Sequence, residues 1–298
     1  MDFESLKSSA SNFDKITKAL EASSEKPESS GNSKNKYQDD RIWKPELDKT
    51  GNGYAVVRFL PASTGEEMPW QRVWSHAFQD KGGWYIENSL TTLNQKDPVS
   101  EENTRLWNTG VDSDKEIARK RKRKLSYYSN IFVVSDPKHP ENEGKVFIFK
   151  FGKKIFDKIT EAMQPAFDDE TPINPFDFWK GANFKLKIRK VDGYWNYDKS
   201  EFESVSQIKE SDEDIKSIWS KQYPLNPFVD PSNFKTYDEL KEKLNRVIMG
   251  QRNTETVENV DLPPQSTTSV PSSSDVKSEP ASEDDDTLSY FSKLADED

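Results

Sequence analysis

The sequence predicts a mostly β fold with α additions, in which an antiparallel core lies between a flexible N-terminal arm and a disordered acidic C-terminal tail. Short strand-like runs separated by Gly- and Pro-containing turns fill the middle of the 298-residue chain. Ser-rich segments with few apolar residues occupy both ends. We expect an arm and linker at 1–36, a core at 37–250 with a subdomain at about 70–116, and a tail at 251–298.

The arm has a helical pattern near its start. Phe3, Leu6, Phe13, Ile16 and Leu20 recur at spacings close to a helical repeat, which predicts a short amphipathic helix. Such a helix is marginal alone and needs a partner surface. The Ser-, Glu- and Lys-rich stretch that follows predicts a linker.

Strand signals begin after residue 37. Two hairpins are predicted, RIWKPEL with YAVVRFLP across a Gly-Asn-Gly turn and WQRVWSHAF with WYIE across a Lys-Gly-Gly turn. A polar, irregular stretch at 88–116 precedes the strands YYSNIFVV and KVFIFKF, a short helix over Lys153 to Met163 and the strand ANFKLKIRKV. Several short strands with few helices favour a small antiparallel barrel, of which the OB type fits best. Two more helices within 211–249 are expected to pack on it.

Composition excludes several function classes. The formal net charge is −10, and residues 251–298 hold 12 acidic and 3 basic side chains, so nearly all the excess acidity lies in the tail. No apolar run is long enough to span a membrane. Without cysteine and with two histidines, thiolate metal sites and common catalytic triads are hard to build. The carboxylates of Asp168, Asp169 and Glu170 keep a metal-dependent nucleic-acid enzyme as a less favoured alternative.

Six consecutive cations, Arg119 to Lys124, run into the aromatic pair Tyr127 and Tyr128. Such a block suits the phosphates of a polyanion, and rings beside it suit exposed bases. A solvated loop or a localisation signal explains a basic run about equally well, so the block alone does not decide.

Further cations lie beside other aromatic residues. In ANFKLKIRKV the outward positions of a two-residue period are all cationic, which predicts a charged face of Lys185, Lys187 and Arg189. Lys150, Lys153 and Lys154 flank a run of phenylalanines that is more typical of a core than of a stacking platform. Aromatic residues in a loop favour binding over burial, which applies to Tyr194, Trp195 and Tyr197.

The run KRKLSYYSNIFVVSDPKHPENEGKVFIFKFGKKIFDKI resembles the single-stranded DNA-binding, helix-destabilising proteins of T-even-like bacteriophages. The resemblance extends over about Trp43 to Ser200, through GNGYAVVRFLP, HAFQDKGGWYIE and GANFKLKIRKVDGYWNYD. It implies an OB-type barrel whose cleft binds single strands through basic and aromatic residues. The matching positions are Lys122, Arg123, Lys124, Tyr127, Tyr128, Phe149, Tyr194 and Tyr197, with Trp107 a weaker match.

The resemblance also implies roles for both ends. A basic Ser/Thr motif in the family's arm mediates self-association along the strand, and here the thin match SLKSS supplies Leu6, Lys7, Ser8 and Ser9. The family's acidic tail recruits replication and recombination proteins and competes with DNA, and here its anchors would be Leu288, Tyr290, Phe291 and Leu294. We therefore expect a non-enzymatic protein that coats single-stranded DNA in the cytoplasm of an infected bacterium. Aromatic rings and lysine side chains do not distinguish RNA from DNA, because neither recognises the 2′-OH. A single-stranded RNA-binding regulator is therefore the alternative.

The clearest departure from the family concerns zinc. The family holds a structural Zn²⁺ with one histidine and three cysteines, whose matching positions here are His76, Ser89, Asp97 and Ser100. Because serine is a poor zinc ligand, we expect no cofactor. The subdomain is then expected to be held by packing of Trp74, Phe78, Trp84 and Trp107.

Overall fold

The structure is a computed structural model that describes residues 39–167, 169–191 and 194–250. The predicted arm and tail lie outside these residues, as does Asp168, and so do Leu6, Lys7, Ser8, Ser9, Leu288, Tyr290, Phe291 and Leu294. The described residues divide into two compact units. The first contains the chain up to Ser75, Asn88–Gln95 and Lys124–Lys235, and the second contains His76–Glu87, Lys96–Arg123 and the chain from Thr236 onward.

The described residues form nine strands and five α-helices. The strands are β1 (Ile42–Trp43), β2 (Gly53–Phe59), β3 (Trp70–Asp80), β4 (Gly83–Asn88), β5 (Lys124–Ser135), β6 (Val146–Phe151), β7 (Ala182–Val191), β8 (Tyr194–Asn196) and β9 (Glu201–Val205). The helices are α1 (Pro98–Asn108), α2 (Asp112–Lys120), α3 (Lys153–Met163), α4 (Asp212–Ser220) and α5 (Tyr237–Met249). The predicted mostly β class with helical additions is confirmed.

The strands of the first unit pair in the order β1-β6-β5-β2-β7-β8, with β3 also paired to β5 and β9 to β7. Among the described residues no pairing joins the two ends of this path, so the sheet is not closed into a barrel. The OB type therefore stays a prediction. The hairpin predicted for β1 and β2 is wrong, because β1 instead pairs in parallel with β6. Pro45, which has no N–H to donate, follows β1 closely and prevents a longer strand.

The core of the first unit is rich in aromatic side chains. Phe59 on β2 lies at its centre, with its ring 5.6 Å from that of Phe151 and 5.8 Å from that of Phe184. Helix α3 has the predicted bounds and buries Ile155, Ile159 and Met163, which are spaced four residues apart on one face. These residues join the same cluster. Helix α4 packs Ile215 and Ile218 against a second cluster of the sheet, as predicted.

One buried cation on β2, Arg58, connects this strand to two loop segments by hydrogen bonds. Arg58 is fully buried, and its guanidinium donates to the carbonyl oxygens of Asp177 at 2.9 Å and Ser206 at 2.7 Å. Burial lowers the pKa of Arg58 to about 10. Because its side chain is fully buried and bonded to backbone carbonyl groups, Arg58 belongs to the fold rather than to a binding surface.

The second unit corrects the prediction of an irregular stretch at 88–116. Helices α1 and α2 occupy most of it. Asp97 caps α1 by accepting hydrogen bonds from the backbone N–H groups of Val99 and Ser100. Pro98 occupies the first turn, where a backbone N–H would have no acceptor within the helix, so the N–H that proline lacks is not missed. The Asp-Pro pair was the sequence signal for this helix.

Helix α5 belongs to the second unit and not, as predicted, to the sheet of the first. It begins with a capping box formed by Thr236 and Glu239, and it packs near α1, where Tyr237 donates a hydrogen bond to Glu101. The β3–β4 turn approaches the last turn of α5 closely. A Cβ on Gly82 would lie 2.3 Å from the carbonyl oxygen of Arg246, so only glycine fits this turn.

The aromatic packing predicted for the subdomain is wrong in part. Trp84 is exposed and Trp74 belongs to the first unit. In the second unit Phe78 instead stacks on Tyr85 with ring centroids 5.0 Å apart. Trp107 packs against Leu106 and Ala118.

Candidate nucleic-acid interface

The aromatic residues predicted on β5 and β6 lie inside the first unit. Tyr127 is 7% exposed, and its ring lies parallel to that of Phe156 with centroids 3.9 Å apart. Tyr128 is 8% exposed and stacks on Phe228 at 4.2 Å. Phe149 is buried in the main core cluster. All seven residues from Tyr127 to Val133 are buried, so both sides of β5 are covered and these rings offer little surface for a base.

The cations beside these rings remain on the surface. Lys124, Lys150, Lys153 and Lys154 are exposed. Lys150 places its Nζ 5.5 Å from the centre of the Tyr128 ring, and Lys153 pairs with Asp157 one helical turn away at 3.2 Å. This region therefore presents charge without exposed rings.

The first three cations of the block are part of the folded second unit rather than of a solvated loop. Arg119 and Lys120 end helix α2, and Arg119 pairs with Glu116 at 2.6 Å. Arg121 is buried and forms an ion pair with Asp80. A buried, paired guanidinium serves the fold of the second unit.

The remaining predicted residues near this block divide between the units. Lys122 and Arg123 are half-buried in the second unit, whereas Lys124 begins β5 in the first. Trp107 lies in the second unit, with the guanidinium of Arg119 5.3 Å from its ring centre. The ring already has a cation on one face.

Strand β7 has the alternating pattern that the sequence predicted. Ala182, Phe184, Leu186 and Ile188 are buried, and the residues between them point outward. Lys185, Lys187 and Arg189 therefore share one face, as expected.

The structure adds two exposed rings to this face. Tyr54 on β2 lies directly opposite Lys187, and opposite residues in an antiparallel pair share a face. Tyr194 on β8 lies opposite Val191, which is two residues beyond Arg189 and on the same side. Tyr54 is 43% exposed and Tyr194 71% exposed. We call Tyr54, Lys185, Lys187, Arg189 and Tyr194 the β7 face.

The sequence did not identify Tyr54 as a binding residue. Tyr54 begins the apolar run YAVVRFLP, which predicts a strand but no binding role for its first residue. Only the register between β2 and β7 places it beside the cations. Tyr197, in contrast, is half-buried against the core, and burial raises its pKa. Of the two tyrosines predicted near β8, Tyr194 has the accessible ring.

The cations of the β7 face have acidic partners that the sequence did not reveal. Lys187 pairs with Glu201 at 2.7 Å, Lys185 with Glu203 at 3.0 Å, and Arg189 lies 4.0 Å from Asp198. Hydrogen bonding to Glu203 raises the pKa of Lys185, and hydrogen bonding to Lys187 lowers the pKa of Glu201. These shifts favour the charged forms of Lys185 and Glu201.

The positions that match the family's zinc ligands do not fit a zinc ion. His76 has its Nδ1 2.9 Å from the carbonyl oxygen of Arg121 and its Nε2 3.2 Å from Oδ1 of Asp97. That oxygen also accepts two backbone N–H groups as the cap of α1. Ser89 lies in the first unit, where its side chain caps a short 3-10 helix, and Ser100 offers only a hydroxyl. A closed tetrahedral site needs four strong donors.

The described residues contain no cluster of three or more His, Cys, Asp or Glu side chains arranged to hold a metal ion. Nor does any helix among them have the length and apolar character required to cross a bilayer.

Comparison with known proteins gives a consistent result. A family model described as "gp32 DNA binding protein like" matches residues 51–248. The chain is 40% identical over 225 residues to the single-stranded DNA-binding protein of Enterobacteria phage T4, covering 73% of each chain. It is 40% identical over 218 residues to the protein of that name from Enterobacteria phage T2, covering 71% of each. A third match, 46% identical over 55 residues, is a single-stranded DNA-binding protein of Escherichia phage SV14, with 18% of this chain and 49% of that protein covered.

Proposed function

The chain belongs to the family of gp32-like DNA-binding proteins, and from this premise we propose that it binds and coats single-stranded DNA during phage replication, recombination and repair. Binding neutralises the backbone phosphates with lysine and arginine side chains while bases stack on exposed rings. Coating keeps melted DNA single-stranded by mass action, because the protein binds the open form.

The β7 face is the observation in the structure that supports this proposal best. It places three cations on one side of a strand, with Tyr54 and Tyr194 exposed on the neighbouring strands. A row of cations with accessible rings is the arrangement that single-strand binding without sequence preference requires. We assign the exposed Lys124, Lys150, Lys153 and Lys154 a supporting electrostatic role, and Lys122 and Arg123 a role as family-matched cations.

The proposal predicts a strong dependence of affinity on salt. If about five phosphates are neutralised, the logarithm of the affinity for a single strand falls with the logarithm of the salt concentration at a slope of about −3.5. Fluorescence anisotropy with a labelled oligonucleotide measures this slope, and a slope near zero would contradict the electrostatic mechanism. An RNA oligomer of the same sequence is the matched comparison, and tighter binding to RNA would favour an RNA-binding regulator.

We propose that the protein acts in the cytoplasm of the infected host and that its activity is binding without catalysis. Asp169 and Glu170 are exposed. Incubation of a labelled single strand with Mg²⁺ or Mn²⁺ tests this, and strand cleavage by the purified protein would contradict it.

The roles of the arm and the tail are proposals that rest on the family resemblance. The arm supports self-association through Leu6, Lys7, Ser8 and Ser9, and the tail recruits replication and recombination proteins through Leu288, Tyr290, Phe291 and Leu294. Because the tail carries most of the excess negative charge, deleting it from Gln251 should strengthen DNA binding at low salt. Unchanged affinity would contradict competition between tail and DNA.

We also propose that the second unit folds without a metal ion. The cap function of Asp97 and the absence of thiolate side chains support this. Metal analysis of the purified protein and thermal unfolding with and without a chelator test it. One tightly held equivalent of zinc would contradict the proposal.

A further inference from the structure

The carboxylates along the β7 face are held in place by the fold. Strand β9 pairs antiparallel with β7, with Lys185 opposite Glu201, and the register shifts between Ala182 and Phe184. Ser200, just before β9, accepts from the backbone N–H of Lys187 and donates to its carbonyl oxygen. This fixes the start of β9, so Glu201 and Glu203 extend toward the cations of β7. We call Asp198, Glu201 and Glu203 the acidic row.

Each carboxylate of the acidic row lies within 4.0 Å of a cation of the β7 face. Glu203 uses one oxygen for Lys185 and the other for the side-chain amide of Asn183, at 3.0 Å each. Hydrogen bonds from Asn183 and Lys185 lower the pKa of Glu203. Phosphate oxygens accept the same charge-assisted hydrogen bonds from lysine, so a carboxylate and a DNA phosphate compete for the same donors.

These pairs lie at the surface and are weak enough to be exchanged. Lys187 and Glu201 have side chains 39% and 60% exposed. Exposed ion pairs of this kind contribute little to stability, and salt screens them. The acidic row therefore neutralises the face in the free protein without locking it.

Building on the proposed function, we propose that Glu201 and Glu203 mask the cations of the β7 face, and that single-stranded DNA binds this face by displacing the two carboxylates. DNA phosphates take over Lys185 and Lys187, and the released glutamates return to water. The acidic row thus lowers affinity and makes binding at this face readily reversible.

The test uses the full chain with Glu201→Gln and Glu203→Gln combined. If masking holds, the double variant binds a labelled single strand about 3- to 20-fold more tightly at low salt, because each exposed pair corresponds to at most about a fivefold factor. The salt slope also becomes steeper by up to about 1.4, since each phosphate newly neutralised contributes about 0.7. Glu210→Gln with Glu213→Gln changes the net charge equally at exposed acids outside the acidic row and is the matched control.

A second pair of substitutions separates masking from a general charge effect. Lys185→Gln with Lys187→Gln should weaken binding, and in the glutamate double variant it should abolish the gain. Equal effects of the test and control glutamate variants, or a gain that survives loss of both lysines, would overturn the proposal.

If the unmodified protein binds the strand but no variant at this face alters affinity or slope, masking is wrong and the proposed function stands. If the unmodified protein fails to bind, the proposed function itself is wrong.

Discussion

Strands β5 and β7 of the first unit share a sequence signature, cations close to aromatic residues, yet the structure treats them in opposite ways. On β5 the tyrosines are buried and the lysines lie at or beyond the strand ends, whereas on β7 the cations alternate with core residues. The difference teaches that a ring beside a cation predicts a binding surface only where one side of the strand remains open.

The cause is the set of segments that cover the two sides of each strand. Strand β5 pairs with β2, β3 and β6, and its two sides are covered by different segments. Phe156 of α3 lies on Tyr127, and Phe228 lies on Tyr128. Strand β7 has the main core on one side only, as its alternating burial shows.

The largest expected effect tests this contrast through stability. Tyr127→Ala should lower the free energy of unfolding by about 3 kcal/mol or more, because it removes a buried ring stacked on Phe156. Tyr194→Ala should change it by less than about 0.5 kcal/mol, because that ring is exposed. Urea unfolding followed by circular dichroism measures both changes in the free energy of unfolding. Equal losses of stability in the two variants would contradict the contrast between β5 and β7.

Affinity should show the opposite order. Tyr194→Ala and Tyr54→Ala should each weaken single-strand binding by about 1–3 kcal/mol, a factor of roughly 5 to 150, if each ring stacks on a base. Tyr194→Phe and Tyr54→Phe keep the ring and are the controls. Titration with a labelled oligonucleotide measures the affinity of each variant. Unchanged affinity in both alanine variants would show that the β7 face is not part of the DNA-binding interface.

The last test concerns pH. Burial raises the pKa of Tyr127 to about 12 from the ordinary value of 10. Between these values the unfolded chain loses the phenol proton while the folded protein keeps it, so this contribution to stability is complete below pH 10 and is lost as pH rises through 12. Comparing ultraviolet pH titrations of the protein and of Tyr127→Phe isolates the group. Ionisation of Tyr127 near pH 10 in the folded state would contradict its burial.

Local patterns predicted the elements whose cause is local. Helix α3 follows from apolar residues four apart, and β7 from strict alternation. Helices α1 and α2 were missed because charged residues fill their exposed sides and few apolar residues mark the period, although Asp97 and Pro98 signalled the start of α1. The parallel pairing of β1 with β6 joins residues about one hundred positions apart and has no local signature.

The candidate site divides in the same way. Alternation alone was enough to predict that Lys185, Lys187 and Arg189 share a face. Their partners Glu201 and Glu203, and the nearby Tyr54, depend on strand register, which the sequence does not display. The sequence pattern cannot distinguish Tyr128 from Tyr194, because burial depends on which segment covers each side of the sheet.

The short strand β1 covers the outer edge of β6 at Ile148 and Phe149. Without it β6 would present free backbone groups to other chains, and such edges promote aggregation. Ile148 donates its backbone N–H to the carbonyl oxygen of Arg41, and the indole of Trp43 anchors the strand by donating to Asp136 at 2.9 Å. Shortened forms of this protein should therefore begin before Arg41, since removing the chain through Trp43 would leave β6 as a template for intermolecular strands.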